Sequence, residues 1–278
     1  MQSNSFRSYR LIFAVALSLL ASMASPVPAV NINSAVIKLR IFNDDPDSLL
    51  TFGDNYPASI FIQDLKLDGD GVPFEFANLH VWHLSENDLN DAVFNNNDGF
   101  DISSNLLISG TGNGEAGLQV TPWWSQDMDG RLMVRTDSGE VVAFGGRLPF
   151  YNFTGTYGLH YVKGDTIGLE IRYEPNSLTS VDPGTIEYLV TYNNNTYSSG
   201  VIPFDQGNPF DDPPYGLWGI LNDARVGGFV QPNIGVGNPE TYLRADWSSI
   251  AYNVPEPATW VLLIVAAAGI HLCRRHIA

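Results

Sequence analysis

Acidic side chains recur in this chain at loop-like spacings: Asp44–Asp45 with Asp47, Asp68 and Asp70 around Gly69, Asp98 with Asp101, Asp127 with Asp129, and Asp211–Asp212. Carboxylates gathered in turns are what a hard divalent cation takes as ligands, so structural Ca2+ is the metal this pattern admits; the competing use of Asp in turns is to cap its own backbone. The stretch from Asp64 to Glu75 approaches an EF-hand loop, but Lys66 stands where an oxygen ligand is needed. Ile60, Ile62, Leu65 and Leu67 instead read as strand and hairpin. A second candidate is the pair Trp123–Trp124 after Pro122, with Tyr151 and Tyr157 nearby. Indole faces stack on sugar rings, and in an extended segment one of two adjacent indoles must point outward, giving a glycan platform.

Catalytic signatures are missing. Retaining glycosidases on β-sandwiches carry Glu-x-Asp-x-Glu so that two carboxylates flank one glycosidic bond. The nearest string here, Glu86-Asn87-Asp88-Leu89-Asn90, lacks the second Glu. Gly-x-Ser-x-Gly, His-Glu-x-x-His and the phosphate-binding Gly-x-x-x-x-Gly-Lys-Ser/Thr are also absent. His80 and His83 are close in sequence, but three residues apart on a strand they face opposite ways and cannot share one ion. The expectation is therefore a non-catalytic protein without a cofactor, binding or structural. The alternative is a secreted hydrolase acting on extracellular polysaccharide, which would need two carboxylates converging on a sheet face.

The chain of 278 residues is long enough to bury a core and has a formal net charge of −16. No acid lies outside residues 44–256, and four of the fourteen basic residues (Arg7, Arg10, Arg274, Arg275) sit in the terminal segments. Such a surface repels nucleic acid and anionic lipid. Cys273 is the single cysteine, which excludes an intramolecular disulfide and any thiolate-built metal site.

Between the ends the period is two. Ile37, Leu39 and Ile41 alternate with Lys38 and Arg40; Ile167, Leu169, Ile171 and Tyr173 alternate with polar partners; so do Ile186, Tyr188 and Val190. Further strands are predicted at 59–67, 79–84, 131–136, 140–144, 158–163, 215–221 and 242–252, with turn residues between them. One short helix is predicted at Glu86–Phe94, capped by Ser85. The pattern is all-β, a single β-sandwich domain over 30–253.

The ends carry an address. Arg7 and Arg10 precede the apolar run Leu11–Leu20, followed by small residues, which reads as a signal peptide over 1–29. At the other end Val254-Pro255-Glu256-Pro257 precedes an apolar run over 258–272 and then Arg274–Arg275, so a membrane helix would leave the acidic body outside. This tail, 254–278, resembles the PEP-CTERM sorting signal of exported bacterial proteins. The resemblance implies an exosortase and export machinery as partners, Pro255, Glu256 and Pro257 as recognition residues, a membrane-anchored precursor, and release to the cell surface or matrix of an exopolysaccharide-making, biofilm-forming bacterium. Over Ile186–Tyr252, the order of strands and a closing strand with inward Trp247 and Ile250 look like concanavalin A-like lectin or laminin-G jelly rolls. That likeness implies a closing strand beside the first, and carbohydrate binding.

Overall fold

The computed structural model describes residues 30–44, 46–66, 78–121, 127, 130–205, 218–233 and 241–254, which fall in one compact unit, Val30–Pro255. The signal peptide and the sorting tail beyond Val254 lie outside the described residues.

Alternating side chains pair the strands into two antiparallel sheets with an apolar layer between them. The first sheet runs, edge to edge, β1 (Ser34–Asn43), β4 (Asn78–Ser85), β14 (Arg225–Pro232), β6 (Gly114–Thr121), β7 (Arg131–Arg135), β8 (Val141–Phe144) and β9 (Tyr151–Asn152). The second runs β12 (Asn195–Ser198), β11 (Thr185–Tyr192), β10 (Thr166–Glu174), β5 (Phe100–Ser109), β15 (Thr241–Asn253), β3 (Ser59–Lys66) and β2 (Leu49–Asn55), with β13 (Ile202–Pro203) also on β11. Trp82 and Leu118 from the first sheet and Ile62, Leu106, Ile171 and Trp247 from the second belong to one buried cluster. The two indoles meet edge to face, 5.9 Å between centroids. The all-β sandwich is as expected.

Several sequence expectations need correction. No helix forms over Glu86–Phe94. The Ser85 hydroxyl does accept from the Asn87 N–H, but the Asn87 side chain then accepts from the N–H groups of Leu89 and Asn90, and Asp88 turns left-handed at φ 60°. These local bonds offer the backbone an alternative to helix, and Leu89, expected inward, is 78% exposed. The helical turn is instead α1 (Phe153–Tyr157), whose cap Asn152 accepts from the Gly155 N–H and which ends on left-handed Gly158. Residues 158–163 are therefore no strand; single bonds such as Tyr161 N–H to Gly139 O fasten them. Residues 218–220 form bends and 221 is irregular, so the described part of this segment is no strand. The closing strand β15 buries Trp247 and Ile250 as expected, but it lies between β3 and β5 instead of beside β1, which among the described residues pairs only with β4.

At one end of the sandwich a buried hydrogen-bonded polar cluster replaces apolar packing. Asp64 on β3 continues the inward row of Ile60 and Ile62, and its Oδ2 lies 3.0 Å from His80 Nε2 and 2.7 Å from the Asn78 amide that donates to it. The backbone N–H of Arg40 donates to His80 Nδ1 at 3.0 Å, which leaves the ring proton on Nε2, facing the carboxylate. Burial raises the Asp64 pKa, but its bonds to His80, Ser48 and Asn78 outweigh this and hold it below the ordinary 3.8. A depressed carboxyl contributes stability that is present above about pH 4 and lost as pH falls through the folded value. Asp64→Asn is expected to cost about 2 kcal/mol at pH 7. Urea unfolding at stepped pH should show a gap between wild type and variant that narrows below about pH 4.

Candidate functional site

The outward face of the first sheet carries a row of residues set by strand register. Val36 on β1 pairs with His83 on β4, His83 with Gly227 on β14, Gly227 with Gln119 on β6, and Gln119 with Arg131 on β7. Side chains on β4 and β6, two strands apart, are separated by roughly 9.6 Å of backbone. They meet because Gly227, lying between them, has no side chain: His83 Nε2 and Gln119 Nε2 are 3.0 Å apart. A Cβ on Gly227 would come within 1.9 Å of the Trp82 carbonyl oxygen.

His83 and Gln119 face outward and yet are fully buried. The irregular segment after β4 folds back, with the Ala92 N–H bonded to Leu84 O, and so delivers Asp91 to His83. Asp91 Oδ2 stands 3.3 Å from His83 Nδ1 and 3.4 Å from Arg225 Nε. Lys38, from the edge strand β1, extends its ammonium between two carboxylates, 2.5 Å from Asp91 and 2.6 Å from Asp127. Arg131 completes the row, 2.6 Å from Glu115 and stacked over the Phe229 ring. Below it Leu79, Val81, Met133, Val142 and Phe229 form a small separate apolar cluster on this face. Polar groups on an apolar floor are what a binding or reaction site requires.

Electrostatics sort the groups by role. Desolvation is the largest influence on His83 and, despite Asp91, keeps its pKa below the ordinary value, so the ring is neutral at pH 7. The Gln119 amide nitrogen donates to Nε2, which places the ring proton on Nδ1, toward Asp91. Burial works to raise the Asp91 pKa, but the contact with His83 and the ammonium of Lys38 hold it well below the carboxylate range. Burial also penalises the charge on Lys38, and its two carboxylate partners more than reverse that. The cluster thus holds a neutral imidazole and an ionised Asp91 beside the Lys38 ammonium.

Of the residues singled out in the sequence, Asp127 joins this cluster, and His80 and His83 do face opposite ways, each toward its own carboxylate. Asp98 accepts from the Asn95 N–H, the self-capping use of a turn aspartate, and Asp101 lies in strand β5 rather than in a loop. Trp123, Trp124, Pro255, Glu256, Pro257, Arg274 and Arg275 lie outside the described residues; Val254 is exposed. Sequence reasoning missed Lys38, Asp91, Gln119 and Arg225, because the segment expected as a helix is the one that brings Asp91 in.

No family model matches the chain, and no curated protein matches it. Among solved structures it is similar to an alginate lyase from Klebsiella pneumoniae, at 10% identity and TM-score 0.45, over 74% of this chain and 84% of that one. It is similar to a marine alginate lyase from Aplysia kurodai at 10% identity and TM-score 0.39, over 74% and 87%. Arcelin-5, a lectin-like defence protein from Phaseolus vulgaris, matches at 12% identity and TM-score 0.34, over 81% and 96%. These likenesses concern the concanavalin-like sandwich. They stand against the expectation of a non-catalytic protein, which rested on absent hydrolase signatures: the similar chains include alginate lyases.

Proposed function

We propose that this protein cleaves an extracellular polysaccharide by proton transfer at His83, on the outward face of the first sheet. The observation that carries the reading is the His83–Gln119 pair held across Gly227, with Asp91, Lys38 and Arg225 around the ring. Asp91 is held ionised beside Lys38 and His83, so it is not a carboxylic acid ready to protonate a leaving oxygen as a glycosidase requires. Elimination fits better. In a uronate-containing chain the His83 imidazole, once uncovered and with its Nε2 lone pair released from the Gln119 N–H, takes the proton next to the sugar carboxylate, the C–H electrons form the ring double bond, the C–O bond to the neighbouring sugar breaks, and the imidazolium returns the proton to the departing oxygen. Lys38 and Arg225 supply positive charge for that sugar carboxylate, which would take the place of Asp127 on Lys38 as it enters.

The test is incubation with uronate-containing and neutral polysaccharides, reading unsaturated products by ultraviolet absorbance and new reducing ends separately. Absorbance rising with reducing ends supports elimination; reducing ends alone would replace it with hydrolysis, and neither would remove the reading. A chain of net charge −16 repels a polyanion, so cleavage is expected to rise as salt is added to about 0.1 M, where the Debye length is about 10 Å. The address belongs to the same proposal: export by the signal peptide, then processing near Pro255–Pro257 by an exosortase. Intact-mass measurement of the mature protein tests it, with a C-terminus retained beyond residue 257 on all molecules as the contrary result.

A further inference from the structure

We infer that His83 Nδ1, Asp91 and Asp127 form a binding site for a divalent ion of the zinc type, with Lys38 as the internal cation that such an ion displaces. Among the described residues, one ligand atom from each of the three lies within 4.8 Å of the others. A tetrahedron of bonds about 2.1 Å long has edges of about 3.4 Å, so closing on an ion asks for side-chain movement of about 1 Å.

The acidic pair does not carry the site by itself. His83 has no exposed surface, and its Nδ1 makes no hydrogen bond even though it points at both carboxylates, 3.3 Å from Asp91 and 3.9 Å from Asp127. Asp91 Oδ1 is likewise buried and unbonded. The field at this point already selects a cation, since the Lys38 ammonium bridges the two carboxylates. Lys38 can leave: its side chain is a third exposed at the sheet edge, and its flexible stem lets the head group move into water.

The partner of a ligating imidazole is present as well. A metal-bound histidine donates its other ring N–H to an oxygen acceptor, which fixes the tautomer. Gln119 sits at Nε2, and its carbonyl oxygen is unbonded. Turning the amide over would let that oxygen accept from Nε2–H and free the Nδ1 lone pair for the ion. One nitrogen and two carboxylates suit zinc and its neighbours, whereas calcium takes six to eight oxygens. Three protein ligands leave a fourth position open.

Calorimetric titration of the chain with Zn2+, and in parallel with Ca2+ and Mg2+, tests the site directly and stands apart from the cleavage reading, because it reports binding whether or not the protein acts on glycan. One Zn2+ per chain is expected, with Co2+ in its place giving the visible spectrum of a four-coordinate ion. His83→Ala should abolish binding; Asp127→Asn, at a partly exposed position, should weaken it at least 10-fold and serves if His83→Ala does not fold. Lys38→Met should tighten it at least 10-fold by removing the competitor. Absence of stoichiometric zinc binding in Lys38→Met, undiminished binding in Asp127→Asn, or a preference for Ca2+ would overturn the inference.

Discussion

His83→Ala is expected to lower polysaccharide cleavage by about 1,000-fold, the middle of the range for removing a positioned proton-transfer group. The loss should fall on kcat, because the groups that meet the sugar carboxylate, Lys38 and Arg225, stay in place. His83→Gln separates chemistry from packing. A glutamine can still bond Gln119 across Gly227 and fills most of the volume, but it cannot take a proton at neutral pH. If His83→Gln is folded by thermal melting and as inactive as His83→Ala, the ring transfers the proton; if it keeps more than about a tenth of wild-type activity, His83 only holds the sheet face together. Asp91 acts through His83, Lys38 and Arg225, all of which its carboxylate touches. Its removal would leave those groups without their shared anion, so loss of activity there comes with loss of stability.

The difference between what could and could not be read from the sequence follows from how the site is made. Period-two alternation identified β1, β3, β4, β10, β11 and β15, because one face of each strand packs against the opposing sheet. Strand β6 was hidden by its glycines: Gly114 and Gly117 weaken the strand pattern, yet a Cβ at Gly117 would come within 2.0 Å of the Leu132 carbonyl oxygen, so the sheet requires them. The alternation rule also placed His83 on the opposite face from His80. It could not tell that the outward face is covered, since His83 owes its burial to a chain reversal after Ser85 that depends on local Asn and Asp hydrogen bonds. A capped amphipathic segment and such a reversal share their first residues; the Asn87 side chain decides between them. Residues that become neighbours only across strand register, such as Lys38, His83, Gln119 and Arg225, leave no mark in sequence spacing.

Trp247→Ala should be the most destabilising change in the fold. The indole is fully buried at the centre of the sandwich, on a strand held by neighbours on both sides, and it meets Trp82 edge to face. Truncating a buried Trp costs about 3–5 kcal/mol through lost transfer energy and the cavity left behind. Its Nε1–H also donates to the Gly117 carbonyl oxygen at 3.2 Å, joining β15 to β6 across the two sheets, and losing that bond adds about 1 kcal/mol. Against a total of about 5–15 kcal/mol for a domain, this is a third or more of its stability, and the melting midpoint should fall by about 10 °C or more. Trp247→Phe keeps most of the ring and loses the N–H, so it should cost about 1–2 kcal/mol. The two variants also isolate the site from the core. Gly117 lies one outward position from Gln119 on β6, so if the indole bond holds the register of that strand, Trp247→Phe will loosen the His83–Gln119 pair and lower cleavage beyond what its stability loss explains. Cleavage within about twofold of wild type in a folded Trp247→Phe would instead show that the row across Gly227 is held by the sheet ladder alone.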